Sequence, residues 1–118
     1  MASFSRLALS GSTNGKPIKI SATGSPGTLI HTAINSVSSF DEIYLWVVNN
    51  TSGAATLTIE WGGVKDPDDL LCKETSISAN SAPAVVIAGA TLNAGLSIRA
   101  YSNTANALNL IGYVNRIT

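Results

Sequence analysis

Apolar residues recur along this chain with a period of two, in short stretches broken by Gly, Pro, Asn and Ser. No stretch carries the 3.6-residue period of an amphipathic helix. Alternation of this kind marks a strand, because successive side chains point to opposite faces. Segment 55–61 alternates most cleanly, with Ala55, Leu57, Ile59 and Trp61 in one phase and Thr56, Thr58 and Glu60 in the other. It predicts a strand with one face buried and the other solvated. Segment 16–22 places Ile18 and Ile20 inward and Lys19 outward; segment 96–101 sets Leu96, Ile98 and Ala100 against Ser97, Arg99 and Tyr101. Segments 28–34, 84–88 and 107–117 add strands, and 70–78 a mixed, weaker one. In segment 4–10, Phe4 is out of phase with Leu7 and Leu9, which leaves its register open.

The breaks between these stretches have turn chemistry. Asn14-Gly15 predicts a hairpin between segments 4–10 and 16–22, because both central residues of the favoured two-residue turn need positive φ. Ser25-Pro26-Gly27, a loop over 36–41, the run 49–53, Gly62-Gly63, an excursion over 66–69, Gly89 and Asn93-Ala94-Gly95 supply the others. About eight or nine strands result, with no internal repeat. They predict a single all-β domain over 1–118: a two-sheet antiparallel β-sandwich, jelly-roll-like, with an immunoglobulin-like order left open.

One segment breaks the alternation. In 42–48, Ile43, Leu45 and Val47 occupy one phase, but Tyr44, Trp46 and Val48 occupy the phase that water should claim. A lone sandwich strand has one core face and one wet face. Tyr44, Trp46 and Val48 are therefore the candidate interface, to be covered by a loop, a second copy of the chain or a larger assembly.

Composition sharpens that expectation. Of 118 residues, 45% are apolar, enough for a core without disulfide or metal. Only 12% are charged, about half the usual share, and seven acids balance seven bases. Polarity comes instead from 15 Ser, 11 Thr and 10 Asn. Such a surface enters an assembly without desolvating many charges, and net charge near zero favours association. A nucleic-acid partner is not expected, since no basic stripe is present. Membrane spanning is not expected either, as no run approaches about 20 apolar residues. Residues 1–6 contain no long apolar stretch and Cys72 stands alone, so synthesis in a reducing cytoplasm is the expectation.

No catalytic, cofactor or metal site is read from the sequence. His31 is the one histidine and has no neighbour in sequence to act as its partner. A Cys72–His31 pair has no supporting local motif. Asp66, Asp68 and Asp69 surround Pro67 without the ligand spacing or glycine of a calcium loop, and read as a solvated turn. Asn49-Asn50-Thr51 and Asn50-Thr51-Ser52 match the glycosylation triplet by composition alone. The aromatics are Phe4, Phe40, Tyr44, Trp46, Trp61, Tyr101 and Tyr113. Tyr44 and Trp46 could form a sugar platform, with core or subunit contact as the competing use.

Several stretches carry a likeness: Phe4-Ser5-Arg6-Leu7-Ala8-Leu9-Ser10-Gly11-Ser12, Ile30-His31-Thr32-Ala33, Asp41-Glu42-Ile43-Tyr44-Leu45-Trp46 leading to Ile59-Glu60-Trp61-Gly62-Gly63, and Gly112-Tyr113-Val114-Asn115-Arg116-Ile117. In these the chain resembles small virion structural proteins of tailed bacteriophages, of the head decoration or capsid cement type. The resemblance implies a β-sandwich subunit, often a homotrimer, on the outer capsid surface. There it would clamp the major capsid protein, with no catalytic residues. The alternative is a carbohydrate- or receptor-binding module of a tail fibre or spike.

Overall fold

The computed structural model describes residues 3–118; Met1 and Ala2 of the opening segment lie outside the described residues. Among the described residues there are nine strands and no helix: β1 (Phe4–Ala8), β2 (Ile18–Lys19), β3 (Thr28–Thr32), β4 (Phe40–Asn49), β5 (Ala55–Trp61), β6 (Leu70–Ile77), β7 (Ser81–Leu92), β8 (Ser97–Ser102) and β9 (Leu108–Ile117). Two antiparallel sheets result. Sheet A runs β1-β9-β4-β7, with β2 also on β9, and sheet B runs β3-β8-β5-β6.

The pairing is nested. β1 and β2 pair with β9, β3 with β8, β4 with β7 and β5 with β6. The chain is thus one long hairpin folded at the β5–β6 turn, and the pairs β4·β9 and β5·β8 roll it into two sheets. That is the jelly-roll order, and it decides between the sandwich types that the strand pattern left open.

The core between the sheets is aliphatic. Ile20, Ile30, Ile43, Leu45, Val47, Leu57, Ile59, Ile98, Leu108, Leu110 and Val114 are all fully buried. None of the seven aromatic residues is. Aromatic side chains carry the largest apolar areas, so leaving all of them partly or largely exposed places that area at the surface.

Four expectations need correction. Asn14 and Gly15 do take positive φ, 54° and 85°, and Lys16 N donates to Thr13 O at 3.0 Å. The turn forms, but not as a hairpin: β1 and β2 do not pair with each other and lie in succession along β9. The 36–41 loop ends early, so Asp41 lies inside β4 and is fully buried. The 84–88 strand extends over 12 residues as β7. Pro83 is tolerated there because β7 is an edge strand, where a missing N–H breaks no second ladder.

The fourth correction concerns β5. Its second phase was expected in water, yet Thr58 and Glu60 are each 1% exposed. Glu60 is capped by the 25–27 loop: Ser25 Oγ donates to Oε2, and Gly27 N to Oε1 at 2.7 Å. Gly27 can lie there only without a side chain, since a Cβ would stand 2.5 Å from Ala100 O. Thr58 Oγ1 accepts from Glu74 N at 2.9 Å, where β6 bulges. The strand that looked half-solvated is covered on both faces.

Candidate functional site

The outer face of sheet A is the reverse case. Strand register sorts it into rows across β1, β9 and β4. Phe4, Ile117 and Phe40 form one row, and Arg6, Asn115 and Glu42 the next. Ala8, Tyr113 and Tyr44 follow, with Ala88 of β7 beside Tyr44. Ile111 and Trp46 come next, with Val85 beyond, and Val48 lies opposite Asn109. Tyr44, Trp46 and Val48 are half-buried, while Phe4 is 74% and Val85 56% exposed. The predicted interface residues do share one face, and no loop of the described chain closes over them as the 25–27 loop closes over Glu60.

The aromatic rings support one another. Tyr44 and Tyr113 stack with centroids 4.9 Å apart and planes 18° from parallel; Trp46 lies 6.0 Å from Tyr113 at 28°. The Arg6 guanidinium sits 4.7 Å from the Tyr113 centroid. β9 runs between β1 and β4, so Tyr113 is held between Arg6 on one flank and Tyr44 on the other. Such stacking and cation–π contacts fix the rings in place. Tyr44 also donates its hydroxyl to Glu42 Oε1 at 2.8 Å, and this bond raises its pKa. Asn115 Nδ2 donates to the same oxygen at 3.3 Å.

Gly112 pairs with Leu45, and a Cβ there would run into the backbone carbonyl of Tyr44 on β4. An open pocket of about 430 Å³ is lined by Gly15, Trp46, Pro83, Ile111, Gly112 and Tyr113. The lining holds no charge. Trp46 therefore has Tyr113 beside it and an open, apolar space against it. The face can receive an apolar group from another molecule, but Tyr113 does not offer a bare ring in the manner of a flat sugar platform.

His31 does have partners, brought from far along the chain. Its Nε2 lies 2.8 Å from Asp41 Oδ2, and its Nδ1 accepts Ser10 N–H at 3.0 Å. Asp41 further accepts Arg116 Nε at 2.7 Å, Arg116 Nη2 at 2.9 Å and Ile34 N at 3.1 Å. Register creates this cluster, since Asp41 of β4 stands opposite Arg116 of β9. Burial alone would push the Asp41 carboxyl up; the hydrogen bonds from Arg116 and His31 and the Arg116 charge outweigh it and hold it below the ordinary aspartate value. The same pairing raises Arg116.

Serine, histidine and aspartate in sequence of contact suggest a nucleophilic triad, and the atoms deny it. The backbone N–H of Ser10, not its hydroxyl, meets the imidazole. Ser10 Oγ instead accepts Thr32 N–H at 2.7 Å. Both ring nitrogens are committed, and His31 is 2% exposed. A general base needs a free nitrogen within reach of substrate.

Cys72 lies on β6 and His31 on β3, the two outer strands of sheet B. Three strand spacings separate them by about 14 Å, too far for thiol–imidazole contact. The acidic turn is engaged piecewise. Asp66 pairs with Lys73 at 2.9 Å, Asp68 with Lys65 at 3.4 Å, and Asp69 Oδ2 accepts Lys65 N–H at 3.1 Å. Asn49 is fully buried and bonded to Thr51, Gly53 and Ile77, so the first glycosylation triplet is closed to modification.

Sequence reasoning found Tyr44, Trp46 and Val48 but missed Tyr113 and Arg6 as their companions. The usable signal was weak: Tyr113 is an aromatic in the odd phase of segment 107–117, opposite in phase to Leu108, Leu110 and Val114. Set against known protein families, characterised proteins and solved structures, the chain matches none of them.

Proposed function

We propose that this chain is a non-enzymatic assembly subunit that docks through the outer face of sheet A, and that it serves as a decoration or cement protein on a tailed-phage head. One observation carries the docking reading: Tyr44, Trp46, Val48, Ile111 and Tyr113 form an apolar face with an open pocket that the chain's own loops leave uncovered. Aromatic residues on a firm sheet make strong anchors, since they bury large areas with little rotamer freedom to lose. The uncharged lining of the pocket supports the same use. The head location and a trimeric state rest on the sequence resemblance, and a jelly roll by itself assigns no function. A subunit that binds the assembled shell but not its free parts stabilises the shell by mass action.

Changing Trp46 to Ser should weaken association by about 2 kcal/mol or more while lowering subunit stability less, because the side chain is half outside the fold. Light scattering and thermal melting on both proteins read the two effects separately. A wild-type chain that stays monomeric at micromolar concentration would refute self-association. Electron microscopy of the source particle tests location: density for this chain only in a tail, or in no virion, would remove the head assignment. The carbohydrate- or receptor-binding alternative draws on the same pocket beside Trp46, and glycan binding abolished by Trp46→Ser would favour it.

A further inference from the structure

We propose that His31 is an acid-released latch, whose protonation frees the 9–11 crossover from β3 and opens that edge of sheet B. This segment leaves β1 and lies against the β3 edge of sheet B before the chain returns to sheet A at β2. Three hydrogen bonds zip it to the β3 edge: Ser10 N to His31 Nδ1, Thr32 N to Ser10 Oγ, and Gly11 N to Ile30 O at 2.9 Å. Fit is tight, since a Cβ on Gly11 would stand 2.5 Å from Leu29 O. Covering an edge in this way removes a row of unpaired backbone groups that another strand could use.

The protonation state follows from the partners. Nδ1 accepts an amide hydrogen, so it carries none; Nε2 faces an oxygen that already accepts two other donors, so it carries one. His31 is thus the neutral Nε2–H tautomer. A second proton must go to Nδ1, where it would point at Ser10 N–H 3.0 Å away. With His31 2% exposed, water has no room to separate the two donors. Asp41 from β4, and Arg116 from β9 through it, are the charged groups joined to the ring; the Ser10 crossover and β3 itself present none. Arg116 already balances Asp41, so a protonated His31 would be an extra buried charge. The relief available is for the crossover to leave.

Nuclear magnetic resonance tests this on the intact chain. Two-bond ¹H–¹⁵N spectra at neutral pH should show Nε2–H only. Amide exchange is then followed from about pH 8 to about pH 5, with the His31 ring signals recorded in the same samples. Asp41, held below the ordinary value, stays ionised throughout. Protection of Ser10 and Gly11, corrected for intrinsic exchange, should fall at least about tenfold in step with the His31 signal, while Leu45 stays protected. His31→Asn keeps an acceptor for Ser10 without a proton to gain, and should hold the crossover at every pH. His31→Gln reaches Asp41 but lacks that acceptor, and should leave it open at every pH. An Nδ1–H tautomer, or Ser10 protection that stays flat or is lost only together with Leu45, would overturn the latch; the wild-type measurement stands even if a variant fails to fold.

Discussion

Replacing Asp41 with Asn should cost about 3 kcal/mol of folding stability. The carboxylate is fully buried and accepts four hydrogen bonds on two oxygens, one at Oδ1 and three at Oδ2. An amide keeps one oxygen and turns the other into a donor. Its best placement sets the NH₂ at Oδ1, against Arg116 Nε, and keeps the oxygen for the other three. That loses one charge-assisted bond, about 1.5–3 kcal/mol. It also leaves the Arg116 charge without its counterion, which in a fully buried pair brings the loss to about 3–5 kcal/mol. Arg116 is 29% exposed and can turn partly to water, so the lower end applies. For a domain of this size the melting temperature should fall by about 12 °C. The partner change should be worse. Arg116→Met strands a carboxylate with no exposure at all, and should cost about 4–5 kcal/mol. Urea and thermal unfolding of both variants give the values. Asp41→Asn within about 1 kcal/mol of wild type, or more damaging than Arg116→Met, would refute the reasoning.

The pH dependence has a definite sign. Asp41 is held below its unfolded value, so its contribution is complete above the ordinary aspartate pKa of about 3.9 and is lost as pH falls through the lower folded value. Acid unfolding of Asp41→Asn should lack that part of the slope.

Three further outcomes are expected. Gly112→Ala should destabilise the domain by about 3 kcal/mol or prevent folding, because the new methyl meets the Tyr44 carbonyl, a backbone atom that cannot swing away; denaturant titration reads it. Glu60→Ala should release the 25–27 loop and cost about 2–4 kcal/mol, since two donors lose their buried carboxyl acceptor; hydrogen exchange of residues 24–28 should rise ahead of the core. Burial pushes the Cys72 thiol up, so its alkylation should be slower than that of a free cysteine peptide near neutral pH and gain speed only above the ordinary thiol value; a rate–pH profile checks this.

Much of the fold was legible because period-two alternation reports directly which side chains oppose each other on a strand. Ile43, Leu45 and Val47 are buried as their phase required, and Ile18 and Ile20 likewise. Alternation does not report strand partners. The Asn14-Gly15 turn formed with the φ values its chemistry demands, yet its flanking strands both chose β9. A turn motif fixes local backbone; the wider pairing is decided by which edge the whole roll leaves free. The His31 cluster was hidden for a related reason. Its members lie 10 and 75 positions apart, and only the β4·β9 register brings Asp41 to Arg116.

The paired surprises on β4 and β5 have one physical origin. A residue's polarity says what its face needs, not what will reach it. Thr58 and Glu60 need hydrogen-bond donors, and donors need not be water: Gly27 N and Ser25 Oγ arrive from a loop more than thirty positions away, and Glu74 N from a bulge in β6. Burial is then acceptable because every acceptor demand is met. Tyr44, Trp46 and Val48 ask for apolar cover, and the nearby 12–16 loop carries Ser12, Thr13, Asn14, Gly15 and Lys16, which have none to give. The rings turn instead to Tyr113 and Arg6, which meet part of the demand by stacking and leave the Trp46 side open. A loop rich in donors settles on the polar face of one sheet; the apolar face of the other keeps an open pocket beside Trp46 because no segment with apolar side chains to give lies next to it.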